Sequence, residues 1–185
     1  LPISSPYDFA LGGKGLDPSL PGGVSGTLLQ AGQCFMVDMG GNFYGYMGDM
    51  SRVFSIGKLP EQAYAAHQTC LETQEEIVAM AKPGTVCEDM YNKAIEIVTK
   101  AGFADYFMGV DQKAKFIGHG IGLEINEMPV LAPRMKQELE PGMVFALEPK
   151  IVLPGIGPVG IENSWAVTTD GLEKLTLCKE EIIEL

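Results

Sequence analysis

Asp38, Asp49, His119, Glu148 and Glu162 stand in the segments FMVDMGG, GYMGDMSRVF, IGHGIG, VFALEP and VGIENSW, where the surrounding residues are otherwise apolar or turn-forming. Four carboxylates and one imidazole in such settings suit a paired site for divalent cations, because hard oxygen donors with few nitrogens are what those cations take. Asp38 follows Phe-Met-Val and Glu148 follows Val-Phe-Ala-Leu. Each therefore ends a strand-like run, where an unpaired buried charge costs on the order of several kcal/mol. For any one of them a hydrogen bond or an Arg partner is the commoner explanation. Arg52, Arg134 and the few lysines supply partners for one or two of the four, so the joint pattern favours metal over separate ion pairs.

His119 is one of two histidines, and its flanking glycines allow the close backbone approach that a ligand on a strand edge needs. His67 lies beside Ala65 and Ala66 in a helical stretch and reads as an ordinary helix histidine. The zinc signature HExxH and the nucleophile elbow GxSxG are both absent from the sequence. The early GGKG is no phosphate loop, because no GK[ST] follows at the required spacing.

The elements that must position these residues fall into three blocks. Residues 1 to 22 are rich in Gly and Pro and predict a loop at the domain edge. From Leu28 to Phe54 the pattern is that of a hairpin, with Gly40, Gly41 and Asn42 punctuating two apolar runs. Cys34, Met36 and Asp38 share one face of the first arm, and Met47, Asp49, Ser51 and Val53 share one face of the second. The two faces coincide if the connecting loop, with any bulge counted, has an even number of residues.

Two helices follow. Pro60 fits a first helical position, and Ala63, Ala66, Cys70, Ile77 and Met80 recur at helical spacing until Pro83 and Gly84. Thr85 and Glu88 form a capping-box pattern; Met90, Ala94, Ile97, Val98 and Ala101 give the apolar face, and Gly102 is placed to end the helix. From about Lys115 onward, short apolar runs broken by Gly and Pro predict strands of one sheet.

A chain of 185 residues that is 46% hydrophobic can form one domain with a sizeable core. Its formal charge of -11 argues against nucleic-acid binding, and four site carboxylates would offset two divalent cations. No apolar run approaches the roughly 20 residues that span a bilayer, and LPISSPYDF lacks the features of a secretory signal. The expectation is a soluble, cytoplasmic protein that makes no membrane contact. Cys34, Cys70, Cys87 and Cys178 form no CxxC pair and read as reduced, buried thiols.

VDMGGNFYGYMGDMSRVF, GHGIGLEINEMP, PGMVFALEP and GIENSWAVT closely resemble the pita-bread metallohydrolases, the family of prolidase, aminopeptidase P, methionine aminopeptidase and creatinase. The resemblance runs over roughly residues 26 to 175. It implies an α+β fold, a curved and mainly antiparallel sheet backed by helices. It also implies two divalent metal ions (Mn, Co, Fe or Zn), with Asp38 on one ion, Asp49 and Glu162 bridging, and His119 and Glu148 completing the other. The chemistry implied is activation of water for attack on a carbonyl of a short peptide, Xaa-Pro substrates included. His119 and Glu148 are then the catalytic pair, with Glu148 carrying a proton to the leaving nitrogen.

Two positions depart from the family pattern. Asn126 stands where the family commonly has a second histidine, and it cannot donate a cationic hydrogen bond. Gly22 lies near the position of an upstream substrate-contacting histidine. Two other readings therefore stay open beside a peptidase: an enzyme for other small molecules on the same fold and metals, and a non-catalytic metal-binding relative. The first strands also arrive with no pair of helices ahead of them. The resemblance thus implies that residues 1–185 are part of a catalytic domain, lacking its opening helices and any N-terminal domain. A sheet face left apolar would be covered by a second copy, giving a homodimer, or would leave the fragment marginally stable.

Overall fold

The computed structural model describes residues 28–110 and 113–185. The Gly- and Pro-rich opening, with GGKG and Gly22, lies outside the described residues. The hairpin consists of β1 (Cys34–Phe43) and β2 (Tyr46–Ser55), paired antiparallel from Cys34 opposite Ser55 to Phe43 opposite Tyr46. Its turn is Tyr44-Gly45 rather than the Gly40-Gly41-Asn42 that the sequence suggests. Tyr44 has φ 51° and Gly45 φ 90°, the two positive values of a type I′ turn, whose twist matches that of the arms. Gly40 serves packing instead, since a Cβ there would meet Ile125 Cδ1 at 3.3 Å. The two-residue loop has the expected even parity. Asp38 lies opposite Ser51 and Gly40 opposite Asp49, so both aspartates project from one face.

The helices are α1 (Glu61–Met80) and α2 (Cys87–Lys100). Ala63, Ala66, Cys70 and Ile77 of α1 are buried, and α1 packs on α2 and on a two-stranded ribbon described below. The capping box at Thr85 and Glu88 does not form. The segment around residues 135–137 packs on the start of α2 instead, and its carbonyls accept from the Cys87 and Glu88 amides. The Glu88 carboxylate in turn accepts from the Arg134 amide at 2.8 Å and pairs with Lys136. Gly102 ends the helix as expected, at φ 82°, with the Phe103 amide donating back to the Val98 carbonyl.

Among the described residues the later strands form more than the single sheet expected. β3 (Gly118–Gly120), β4 (Glu127–Val130), β5 (Val144–Leu147), β8 (Asn163–Val167) and β9 (Leu172–Lys174) make an antiparallel sheet in the order β4-β3-β5-β8-β9. Between β5 and β8, the strands β6 (Lys150–Leu153) and β7 (Gly157–Gly160) pair only with each other. The departure occurs at Glu148-Pro149, where Pro149 brings no amide donor to extend the β5 ladder. β10 (Ile183–Glu184) runs parallel to β2, and a bridge between Ser51 and Glu162 ties the hairpin to the segment entering β8.

Ile117, Leu131, Phe145, Leu147, Ile151 and Ile161 are buried in the core behind this junction. Among the described residues no helix is long and apolar enough to cross a membrane. Cys34, Cys70 and Cys87 are buried free thiols, whereas Cys178 is exposed, contrary to expectation. Burial pushes the Cys34 and Cys87 thiols up to about 11.

Candidate metal centre

Each of the five acids and bases is set by an identifiable local device. The hairpin register points Asp38 and Asp49 to one side. Asp49 is fixed further from the sheet: its amide donates to Ser164 Oγ at 3.3 Å, and the Ser164 hydroxyl donates to the Asp49 carbonyl at 2.8 Å. His119 sits on the short strand β3 between β4 and β5. A Cβ at Gly118 would lie 2.3 Å from the Ala146 carbonyl oxygen, and one at Gly120 would lie 2.3 Å from that of Met128. The two glycines thus let the histidine strand wedge between its neighbours, as their close-approach role requires. Glu148 follows the last residue of β5, and Glu162 precedes the first residue of β8, which pair as Leu147 with Asn163.

These devices bring the side chains together at one site, in which Asp49, His119, Glu148 and Glu162 are buried. His119 Nε2 is 3.7 Å from Asp49 Oδ2 and 3.6 Å from Glu148 Oε1. His119 Nδ1 is 3.1 Å from the Gly120 carbonyl oxygen, which can only accept, so Nδ1 carries the proton and Nε2 faces the carboxylates. Glu162 is almost fully buried and accepts a short hydrogen bond from Ser51 Oγ. Asp38 departs from the burial that its place at the end of a strand-like run predicts: its side chain is exposed, at 46%.

The residue that sequence reasoning missed is Lys150. Its Nζ lies 2.7 Å from Glu148 Oε2, 3.0 Å from Glu162 Oε2 and 3.1 Å from Asp38 Oδ2, and its side chain is buried. The expectation that four carboxylates outrun the available basic partners is therefore corrected. One ammonium carries three protons and serves three of the four. Arg52, by contrast, pairs with none of them. Its guanidinium donates to the carbonyls of Ser51, Glu162, Cys178 and Lys179 and to Asn163 Oδ1, locking β2 to the Glu162 segment.

The electrostatics follow from this packing. Burial pushes Asp49 up to about 7, helped by the charges of Asp38 and Glu148 against the opposing pull of Lys150. Burial also drives Glu162 well above the carboxylate range; Lys150 pulls it back, while Glu148, Asp38 and Asp49 push it further. For Lys150, burial favours the neutral amine, but Glu148, Glu162 and Asp38 outweigh it and hold the ammonium well above its usual range. His67, away from the site, is buried on α1 with Nε2 2.7 Å from the Glu180 carbonyl oxygen, while its Nδ1 is buried without a hydrogen-bond partner among the described residues.

Asp49, His119 and Glu162 each offer one atom within 4.8 Å of the others, a group that could hold a divalent ion. Donor atoms about 2.1 Å from a shared tetrahedral ion stand about 3.4 Å apart, so the 3.7 Å between His119 Nε2 and Asp49 Oδ2 needs little adjustment. The donor set fits a divalent ion. Beside it, Asp38 Oδ2, Glu148 Oε2 and Glu162 Oε2 are hydrogen-bonded to the Lys150 ammonium.

Residues 8–169 match the model of metallopeptidase family M24. A curated relative, the Xaa-Pro dipeptidase of Pyrococcus furiosus, is 32% identical over 89% of this chain and 46% of its own length. Among solved structures, the X-Pro aminopeptidase of Thermotoga maritima superposes with a TM-score of 0.81 at 30% identity, covering 89% of this chain and 45% of that one. The Xaa-Pro dipeptidase of Bacillus anthracis gives 0.79 at 35% identity, covering 92% and 47%. This chain thus has the pita-bread fold and spans about half the length of the relatives it matches. Because the family match takes in the hairpin, both helices and the strands that carry all five acids and bases, the chain belongs to metallopeptidase family M24.

Proposed function

We propose that residues 1–185 form the catalytic portion of a divalent-metal-dependent hydrolase that cleaves short peptides, dipeptides with a C-terminal proline foremost. The observation that carries this reading is the convergence of Asp49, His119 and Glu162, from three separate segments, beside the buried Glu148. An ion held there, such as Mn, Co, Fe or Zn, would polarise a peptide carbonyl and lower the pKa of a water. The other steps belong to the chain's own groups. Gly120 holds His119 with its Nε2 lone pair turned inward. Glu148 presents Oε1 toward His119 while Oε2 is anchored by Lys150, so one oxygen stays free to take a proton and pass it to the leaving nitrogen. Ser51 and Ser164 hold Glu162 and Asp49 in register.

A second reading, another small molecule hydrolysed on the same fold, is supported by Asn126. It is exposed in the bend before β4 and can donate only a neutral hydrogen bond. The test is to load the purified protein with Mn or Co and assay dipeptides and tripeptides with and without proline. Uptake with cleavage of Xaa-Pro dipeptides is expected. Uptake without any peptide cleavage would favour the second reading, and absence of uptake would sink both.

A further inference from the structure

We propose that the Lys150 ammonium is a built-in cation that takes the place of a second metal ion, so that each chain binds one divalent ion, on Asp49, His119 and Glu162, and Asp38 partners the lysine instead of a metal. This rests on the metal-dependent reading above and deepens it. The first support is donor geometry. Nζ lies within 3.1 Å of oxygens of Asp38, Glu148 and Glu162, so its three protons are matched by three carboxylates from three segments. An ion bound through Asp38 Oδ2 would compete with the ammonium for that oxygen.

The second support is that the backbone is shaped around this side chain. Lys150 opens β6 opposite Gly160 of β7, and Gly160 has φ 148°. A Cβ at Gly160 would lie 2.5 Å from the Pro149 carbonyl oxygen, 2.8 Å from Lys150 Cα and 3.2 Å from Lys150 Cγ. A side chain there would strike the lysine stem, and the glycine leaves the space that the stem fills. Lys150 is 1% exposed, so it cannot leave for solvent without opening this packing. The third support is charge. One divalent ion and one ammonium nearly neutralise the four carboxylates, whereas a second ion would add two positive charges beside a buried ammonium.

The experiment is metal counting on the purified protein saturated with Mn, by native mass spectrometry and elemental analysis, together with the Mn electron paramagnetic resonance spectrum. One ion per chain with an uncoupled single-ion spectrum is expected, rising to two with exchange coupling in Lys150→Gly. Asp38→Asn tests the same assignment in a variant that leaves Lys150 in place, and it should keep one ion with affinity within about threefold. Two ions in the unaltered protein would overturn the proposal while leaving the metallohydrolase reading intact. Loss of the single ion in Asp38→Asn would likewise overturn it, and no bound ion at all would overturn both.

Discussion

Asp49 and Ser164 clasp each other twice, through the Asp49 amide onto the serine hydroxyl and through that hydroxyl onto the Asp49 carbonyl. The pair joins β2 to β8 and is buried, so it fixes the backbone that carries Asp49 relative to the strand following Glu162. Ser164→Ala removes both partners at once and leaves a buried amide and a buried carbonyl without that hydroxyl. The expected cost is about 1–3 kcal/mol, read as a lower urea midpoint at unchanged slope. Metal affinity should weaken as well, since Asp49 loses its anchor.

Arg52 makes the corresponding connection on the other side of Ser51. Its five donors reach the Ser51, Glu162, Cys178 and Lys179 carbonyls and Asn163 Oδ1. Lysine has one nitrogen and three protons and cannot span this set, so Arg52→Lys is not conservative here. It should destabilise by about 3 kcal/mol or more, comparable to breaking a buried charged network. Thermal unfolding followed by circular dichroism would check this, and a shift of under about 2 °C would refute the role.

The pH dependence of the metal-free protein follows from Asp49 and Glu162, both held above their unfolded values. For an acid raised in the folded state, the native protein binds more protons than the unfolded chain between the two pKa values, so stability falls as pH rises through that window. With Asp49 raised from 3.8 to about 7, the melting temperature in chelator should decline from about pH 4 to pH 7. Asp49→Asn should flatten that slope. Divalent ions compete with the same protons, so apparent metal affinity should tighten as pH rises through the same range.

The hairpin parity, the helix spans and the glycine-flanked His119 were legible because each depends on local pattern: alternation, apolar spacing, or a small residue beside a functional one. The turn was not, because Tyr44 at positive φ is an unfavourable choice that propensity does not predict, and Gly40-Gly41-Asn42 looks like a better one. Gly40 answers to Ile125, a neighbour 85 positions away, which no local reading supplies. Lys150 was hidden for a related reason. Its position two residues after Glu148 on extended chain does place both on one face, and that was an available signal. Its contacts with Asp38 and Glu162 exist only once the hairpin and the β8 entry meet, and matching bases to acids one for one undercounts a buried ammonium. The β6–β7 ribbon escapes a sequence reading too, because strand patterns do not reveal which strands pair.

The roles assigned to Glu148 and Asp49 separate in a pair of substitutions. Glu148 Oε1 faces His119 and Oε2 faces Lys150, whereas Asp49 belongs to the group of three that could enclose an ion. Glu148→Gln keeps the shape and removes the proton carrier, so turnover should fall by about 100-fold or more. Its metal affinity should change by less than about tenfold. Asp49→Asn removes a charged donor and should weaken metal binding by well over tenfold, with turnover recovering in part at high metal concentration. Titration of metal against activity in both variants distinguishes the roles, because recovery by excess metal in Glu148→Gln, or none in Asp49→Asn, would reverse the assignment.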